Sequence, residues 1–294
     1  LTLNGGTLVL DISTNSHDQI TVTANVALTG GGIQFNATTA LTNGIYPLIT
    51  YGGTFSGSVG TIALSGVNPF SSKLISSTPG EIDLVISDSA SDNLTWRGNG
   101  ADWDVTGVLN WLNAATPWAF TNGDLVRFDE TGAAVPGVMI QTVVSPSSIT
   151  VSNPVTTYTF TDGTGSGGGK ISGPTGLVKD GAGLLIVNTA NNNSGPTTIK
   201  AGTVQVGDFG STGDLGTGNV TNNGALDFRQ TDNRSVAGVT SGTGALTQEG
   251  ISTLTLANNN TYSGTTTIGP SSTLQIGTGG AAGSLGTGTV TDDG

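Results

Sequence analysis

Few residues in this 294-residue chain could do chemistry, and their spacing narrows what that chemistry would be. The single histidine, His17, lies in the stretch STNSHDQ with Asp11 and Asp18 near it. A general base needs a reacting partner within hydrogen-bond reach, and no nucleophile or second base stands at a recognisable spacing, so a solvated loop position is the simpler reading. Cleavage of polysaccharides needs carboxylates held close together in a groove, often with Arg, Lys, His or Ca²⁺. Asp83, Asp227 and Glu249 are each isolated in strand or turn contexts. The glycine-rich run DGTGSGGGKI is not a phosphate-binding loop: Thr164 stands at the first required glycine, and Ile171 stands where Ser or Thr should hold Mg²⁺. These residues predict neither a catalytic centre nor a cofactor site.

One segment concentrates side chains of a different kind. Trp96, Trp103, Trp111 and Trp118 are all the tryptophans of the chain, and they fall together with Phe120, Phe128, Arg97, Arg127 and the acids Asp102, Asp104, Asp124 and Asp129. Exposed, the four indoles could stack on sugar rings; buried, they would make a local core of their own, which is the reading their area favours. The four acids could line an oxygen-rich Ca²⁺ site, but their spacing matches no EF-hand or glycine-rich nonapeptide, and solvated surface acids explain them better. The segment, residues 91–130, reads as a junction or decorated coil between an N-terminal stretch, 1–90, and a C-terminal one, 131–294.

The elements that must carry these residues are short strands. The chain holds 48 Gly, 5% aromatic and 10% charged residues, with Thr, Ser, Asn, Val, Leu and Ile between the glycines, a mixture that favours strands joined by tight turns. LTLNGGTLVLDIS alternates apolar and polar residues with period two, and QITVTANVALTGGGIQFNAT, IYPLITYGGTFSGSVGTIALSG and EIDLVIS continue the pattern to Ser87. The last third repeats itself. Leu177 aligns with Leu246, Ile199 with Ile268, Gln205 with Gln275 and Leu215 with Leu285, an offset of 69 residues that becomes 70 near Ser272. Copies at about 176–244 and 245–294 mark stacked units that bury an apolar face only against their neighbours. A parallel β-solenoid follows, with about three coils to each copy and roughly 13 coils in a rod of about 60 Å. The Asn runs 191–193 and 258–260 fit either hydrogen-bonded ladders between coils or solvated turns.

The formal net charge of −12 opposes binding to a phosphate backbone, so nucleic acid is not an expected partner. The absence of cysteine excludes disulfides and Cys-ligated metals and suits export. No apolar run approaches a membrane span. The triplets Asn36–Thr38 and Asn93–Thr95 are expected by chance in a chain this rich in Asn and Thr, and carry no glycan assignment.

Residues 254–290, in which L-T-L leads to N-N-N-T-Y-S-G-T-T-T-I, then T-L-Q-I-G and G-S-L-G-T-G-T-V, resemble the autotransporter-associated β-strand repeat, also called the passenger-associated transport repeat. The copy at 185–220 is looser: Pro196 replaces the first Thr, Asn193 stands at the Tyr262 position, and Val204 and Val206 replace Leu and Ile. The block W-R-G-N-G-A-D-W-D, with N-W and F-T-N-G-D-L-V-R-F-D after it, resembles a Trp-bearing segment found beside such repeats in bacterial surface proteins. The resemblance covers about two-thirds of the chain. It implies an all-β, right-handed parallel β-helix, exported, forming the shaft of a long extracellular or cell-surface protein, and it carries over no catalytic residue.

The chain opens in mid-strand at Leu1 and stops in mid-repeat at TVTDDG. The expectation is a portion of a longer chain, or a subunit that self-associates head to tail through its unpaired strand edges. Adhesion to surface glycans through the tryptophans, and a polysaccharide-degrading enzyme, are the rival readings.

Overall fold

The structure is a computed structural model that describes residues 1–13, 17–37, 44–65, 72–76, 78–86, 91–105 and 108–294. Residues 14–16 of the His17 turn, Thr38 of the first Asn triplet, and the strand ends at Gly66 and Ser87 lie outside the described residues. The chain divides into two compact units, Leu1–Ser91 with Thr106–Leu109, and Asp92–Val105 with Asn110–Gly294.

The first unit begins as a parallel solenoid. Thr2–Leu3, Val26–Leu28 and Phe55–Gly57 stack in one parallel sheet, and Thr7–Ile12, Gly32–Ala37 and Ala63–Ser65 in a second. Alternation sends Leu10, Val26, Leu28, Ile33 and Phe35 into a common core. The third face departs from the expected run of parallel coils. Ile20–Val22 lies parallel to Gly44–Tyr51, but Glu81–Ile86 pairs with Gly44–Tyr51 antiparallel and Ser72–Ile75 pairs antiparallel on its other side. Alternation of period two has no direction, so EIDLVI reads the same for either orientation. A bulge between Ile82 and Asp83 puts Asp83 opposite Pro47, which has no N–H to give to a ladder.

The second unit is a solenoid with two long faces. One nine-stranded sheet runs in the order Thr116–Trp118, Trp111–Asn113, Asn93–Trp96, Leu125–Asp129, Ser148–Ser152, Gly176–Asp180, Thr197–Ile199, Val220–Asn222, Thr240–Ser241. Its first two strands form an antiparallel hairpin against Asn93–Trp96, and every later pairing is parallel. The other nine-stranded sheet is parallel throughout, from Asp102–Trp103 through Gly137–Ile140, Tyr158–Asp162, Leu184–Asn188, Thr203–Gly210, Ala225–Gln230, Ala245–Gln248 and Thr266–Ile268 to Val290–Asp292. A third face carries the short pair Val143–Val144 with Lys170–Ile171, and the three strands Arg234–Val236, Thr253–Leu256 and Thr273–Ile276. Like side chains stack along the inside, as in the register column Tyr158, Leu185, Val204, Leu226, Leu246 and Thr266.

Where a face lacks strands, asparagines bridge the coils. Asn191 accepts from Ile171 N on the coil before (2.8 Å) and donates to Asp214 O on the coil after (2.9 Å). Asn260 does the same between Thr240 N (2.8 Å) and Ser284 O (2.9 Å). Both amides are more than nine-tenths buried, where a half-satisfied polar group is costly, so the Asn runs are ladders rather than solvated turns at these positions.

The repeat does not close on itself after whole coils. Leu177 pairs through Thr197 and Val220 to Thr240, so three coils take 63 residues on this face. The repeat offset is 69, which carries the second copy one strand further round. Gly176–Asp180 and Thr197–Ile199 belong to the first long sheet, while their counterparts Ala245–Gln248 and Thr266–Ile268 belong to the second; Leu184–Asn188 and Thr203–Gly210 belong to the second, while Thr253–Leu256 and Thr273–Ile276 belong to the third face. The expected three coils per copy become three coils and one face.

Candidate functional site

All four tryptophans are buried: Trp96, Trp103 and Trp111 are 0% exposed and Trp118 is 5% exposed. Trp96 meets Trp111 edge-on at 5.0 Å, Trp103 meets Trp111 at 5.3 Å and Phe128 at 5.5 Å, and Phe128 meets Phe160 at 4.9 Å, distances at which the positive ring edge of one packs on the negative face of another. The Trp96 indole donates to Val135 O (3.0 Å) and that of Trp118 to the Asp92 carboxylate (2.9 Å), which also accepts from Asn113 Nδ2 (2.8 Å). Sugar stacking needs an open ring face, and none of these indoles offers one. Nor does the segment keep a core to itself: its aromatics are continuous with Ile149, Leu185, Leu226 and Tyr262 further along the solenoid. The segment plugs the second unit at the sheet edge that the antiparallel hairpin Trp111–Asn113 and Thr116–Trp118 completes.

The acids of this segment are engaged separately. Asp124 is buried and accepts from Thr121 N (2.7 Å) and Asp92 N (3.0 Å); burial raises its pKa, and these hydrogen bonds offset part of the rise. Asp102 accepts from Gln141 Nε2 (2.7 Å), and Asp129 pairs with Arg127 (2.9 Å) and caps Thr131 N (2.9 Å). Among the described residues no group of three or more His, Cys, Asp or Glu side chains is placed to hold a metal ion.

The other candidates are dispersed. His17 bridges Ile12 and stands edge-on to Tyr46 at 5.9 Å. Asp18 accepts from Asp11 N (2.9 Å), while Asp11 accepts from Asn36 Nδ2 (3.0 Å). Asp83 is buried in the first unit, and desolvation, with Glu81 nearby, raises its pKa to about 6. Asp227 and Glu249 meet through Arg229, at 2.7 and 2.9 Å. In the glycine-rich run, Asp162 curls the loop round its own carboxylate, taking the N–H groups of Thr164, Gly167 and Gly169 and the Thr164 hydroxyl. Burial works against the charge, but these donors win and hold the pKa at about 2. The loop supplies itself with the anion that a phosphate-binding loop would seek outside.

Two sets of residues escape a sequence reading. Lys179 points inward and is fully buried, its Nζ donating to Asp180 O (3.1 Å) and Gly181 O (2.7 Å) at the corner of the coil; desolvation lowers its pKa to about 8. Its counterpart Gln248 holds the matching corner by donating to Gly250 O (2.9 Å). Gln205 and Gln275, also counterparts, donate to Gly207 O (2.8 Å) and Gly277 O (2.9 Å). A side chain with N–H donors at two fixed offsets before a glycine turn is the signal that could have found them. The second set is the loop closed by those turns. Gly207 and Gly213, and 70 residues later Gly277 and Gly283, take positive φ of 81°, 119°, 74° and 120°. A Cβ on Gly213 would meet Gly207 N at 2.4 Å, and one on Gly283 would meet Gly277 Cα at 2.4 Å, so glycine is what lets each loop pinch shut.

A family model described as the passenger-associated-transport-repeat matches residues 177–206 and 246–269. No curated protein and no solved structure matches the chain. The matched residues take in most of the strands that change face between the two copies, but not Thr273–Ile276, together with both corner donors Lys179 and Gln248. No helix among the described residues is long and apolar enough to cross a membrane.

Proposed function

Because residues 177–206 and 246–269 match the passenger-associated transport repeat, we propose that the chain is a non-enzymatic shaft, part of a bacterial extracellular or cell-surface fibre that lengthens by stacking β-solenoid coils end to end, within one long polypeptide or between copies. One observation carries the reading: parallel register runs unbroken across the boundary of the two copies, from Ala225–Gln230 to Ala245–Gln248 to Thr266–Ile268 to Val290–Asp292. A unit that pairs in register with the next copy can be repeated without redesign, and its stability grows by a coil term and an interface term at each addition. The surface suits the role. Its net charge of −12 discourages rods from clumping sideways, and the register column Thr247, Thr267 and Thr291 faces outward on the second sheet. Asp11, Asp102, Asp124 and Asp129 are each engaged by their own local donors, and the one cation Arg229 holds both Asp227 and Glu249.

Electron microscopy of the full-length protein tests the proposal. Rods are expected whose length rises by roughly 16 Å for each 69-residue copy added, three coils and one face at about 4.8 Å per coil. Globular particles whose longest dimension ignores copy number would refute a shaft. Sedimentation over a range of concentrations distinguishes stacking between copies from a single long chain, and cleavage of polysaccharides by the folded protein would restore the enzyme reading.

A further inference from the structure

The two pinched loops differ at one telling position. Phe209 stands where the second copy has Gly279, and both are left-handed, at φ 53° and 93°. Glycine occupies that region freely, whereas a bulky side chain there is a strained outlier. The strain is not offset by burial, because Phe209 is 55% exposed. It sits in a bulge of the strand Thr203–Gly210: Val206 pairs with Phe228 and Gly210 with Gln230, so residues 207–209 all stand opposite Arg229. The Arg229 guanidinium covers the ring at 5.6 Å from its centroid.

Round the ring lie polar and charged groups. Arg229 is bonded to Asp227 and Glu249, and Asp208 is fixed by Gln205 Nε2 at 3.2 Å. Asp227 is 8% exposed, and its Oδ1 has no hydrogen-bond partner. A strained, solvated aromatic with carboxylates, an amide and a guanidinium beside it is poor use of a residue for folding and good use of one for binding.

We propose that the Phe209 loop is a saccharide-binding site, in which a neutral sugar ring stacks on Phe209 and its hydroxyls bond to Asp208, Arg229 and Glu249. The C–H face of a pyranose is weakly positive and packs on the negative face of an aromatic ring. Hydroxyls donate and accept at once, so they suit carboxylates and a guanidinium in the same rim. Three carboxylates against one guanidinium leave the rim negative and repel phosphate, sulfate and uronate groups. One exposed ring is also far smaller than the apolar centre of a stable protein interface. The site needs only the folded coil and is separate from the buried tryptophans.

The full chain, titrated with neutral oligosaccharides of glucose, galactose, mannose and N-acetylglucosamine by calorimetry and saturation-transfer NMR, tests this. At least one series is expected to bind, and Phe209→Gly is expected to weaken it at least tenfold while leaving the thermal midpoint unchanged or higher. Val155→Ser, at an exposed valine outside the site, is expected to bind as the unaltered chain does. No binding by any neutral series, equal binding by Phe209→Gly, or binding confined to sulfated or uronic oligosaccharides would each overturn the proposal. So would an effect of Phe209→Gly on self-association alone, which would make the occupant a second copy.

Discussion

Residues 176–244 and residues 245–294 run one strand sequence through different sheets, so each matched pair of positions is a single role performed on two faces of the solenoid. Inward residues keep their direction in both copies. Leu177 and Leu246 are buried, Lys179 and Gln248 hold equivalent corners, and the pinched loops close on equivalent glycines. What differs is the neighbour. Leu177 stacks between Ile149 and Thr197, and Leu246 between Leu226 and Thr266. The repeat therefore specifies inside and outside, and the coil it joins supplies the rest.

The largest test of that comparison removes the inward leucines one at a time. Leu177→Ala and Leu246→Ala are each expected to cost about 2–5 kcal/mol in urea unfolding, the range for truncating a buried leucine. Values within about 1 kcal/mol of each other would support equal roles on two faces, and a near-zero cost for either would break the equivalence. Next come the corner donors. Lys179→Met leaves its corner carbonyls without a donor and is expected to cost about 1–3 kcal/mol, while Lys179→Gln, which copies the second repeat, is expected to be close to neutral.

The same lysine gives a pH signature. Its folded-state pKa is lowered to about 8 by desolvation, below its ordinary value of about 10.5. Between those limits the unfolded chain binds more protons than the folded one, so the contribution of this group makes stability rise with pH from about 8 to about 10.5. Denaturant midpoints should show that rise in the unaltered chain and a flatter profile in Lys179→Gln; identical profiles would mean that the ammonium is not desolvated in the fold.

Smaller effects sharpen the loops and turns. Phe209→Gly should stabilise by about 1 kcal/mol and Gly279→Phe should destabilise by about as much, since a left-handed side chain costs about 1–2 kcal/mol. Thermal midpoints moving the same way for both would contradict the shared loop geometry. Tyr262, at the position of Asn193, bonds to Thr266 Oγ1 at 2.7 Å. Tyr262→Phe should cost about 0.5–1.5 kcal/mol by chemical denaturation, the net worth of one hydrogen bond.

Much of the second unit was legible because its signals are local. Period-two alternation marked the strands, the 69-residue offset marked the stacking, and the clustering of Trp96, Trp103, Trp111 and Trp118 marked a buried mass. The antiparallel placement of Glu81–Ile86 was not legible, since side-chain alternation carries no strand direction. Lys179 reads as a surface charge until the corner carbonyls around it are seen. Phe209 reads as one more apolar residue in a strand until its φ is known. The advance of one face was hidden for a different reason: a sequence period counts residues, whereas coils here take between 20 and 37 residues from one paired strand to the next, so 69 does not announce how many turns it makes.

That advance behaves as a screw operation. In an array of such copies a given residue returns to the same side only at every third copy, after ten coils or about 48 Å. A substitution made in every copy would then spiral round the rod, while one made in every third copy would mark a single edge. A filament of near-identical modules could in this way acquire a front and a back without any change to its architecture.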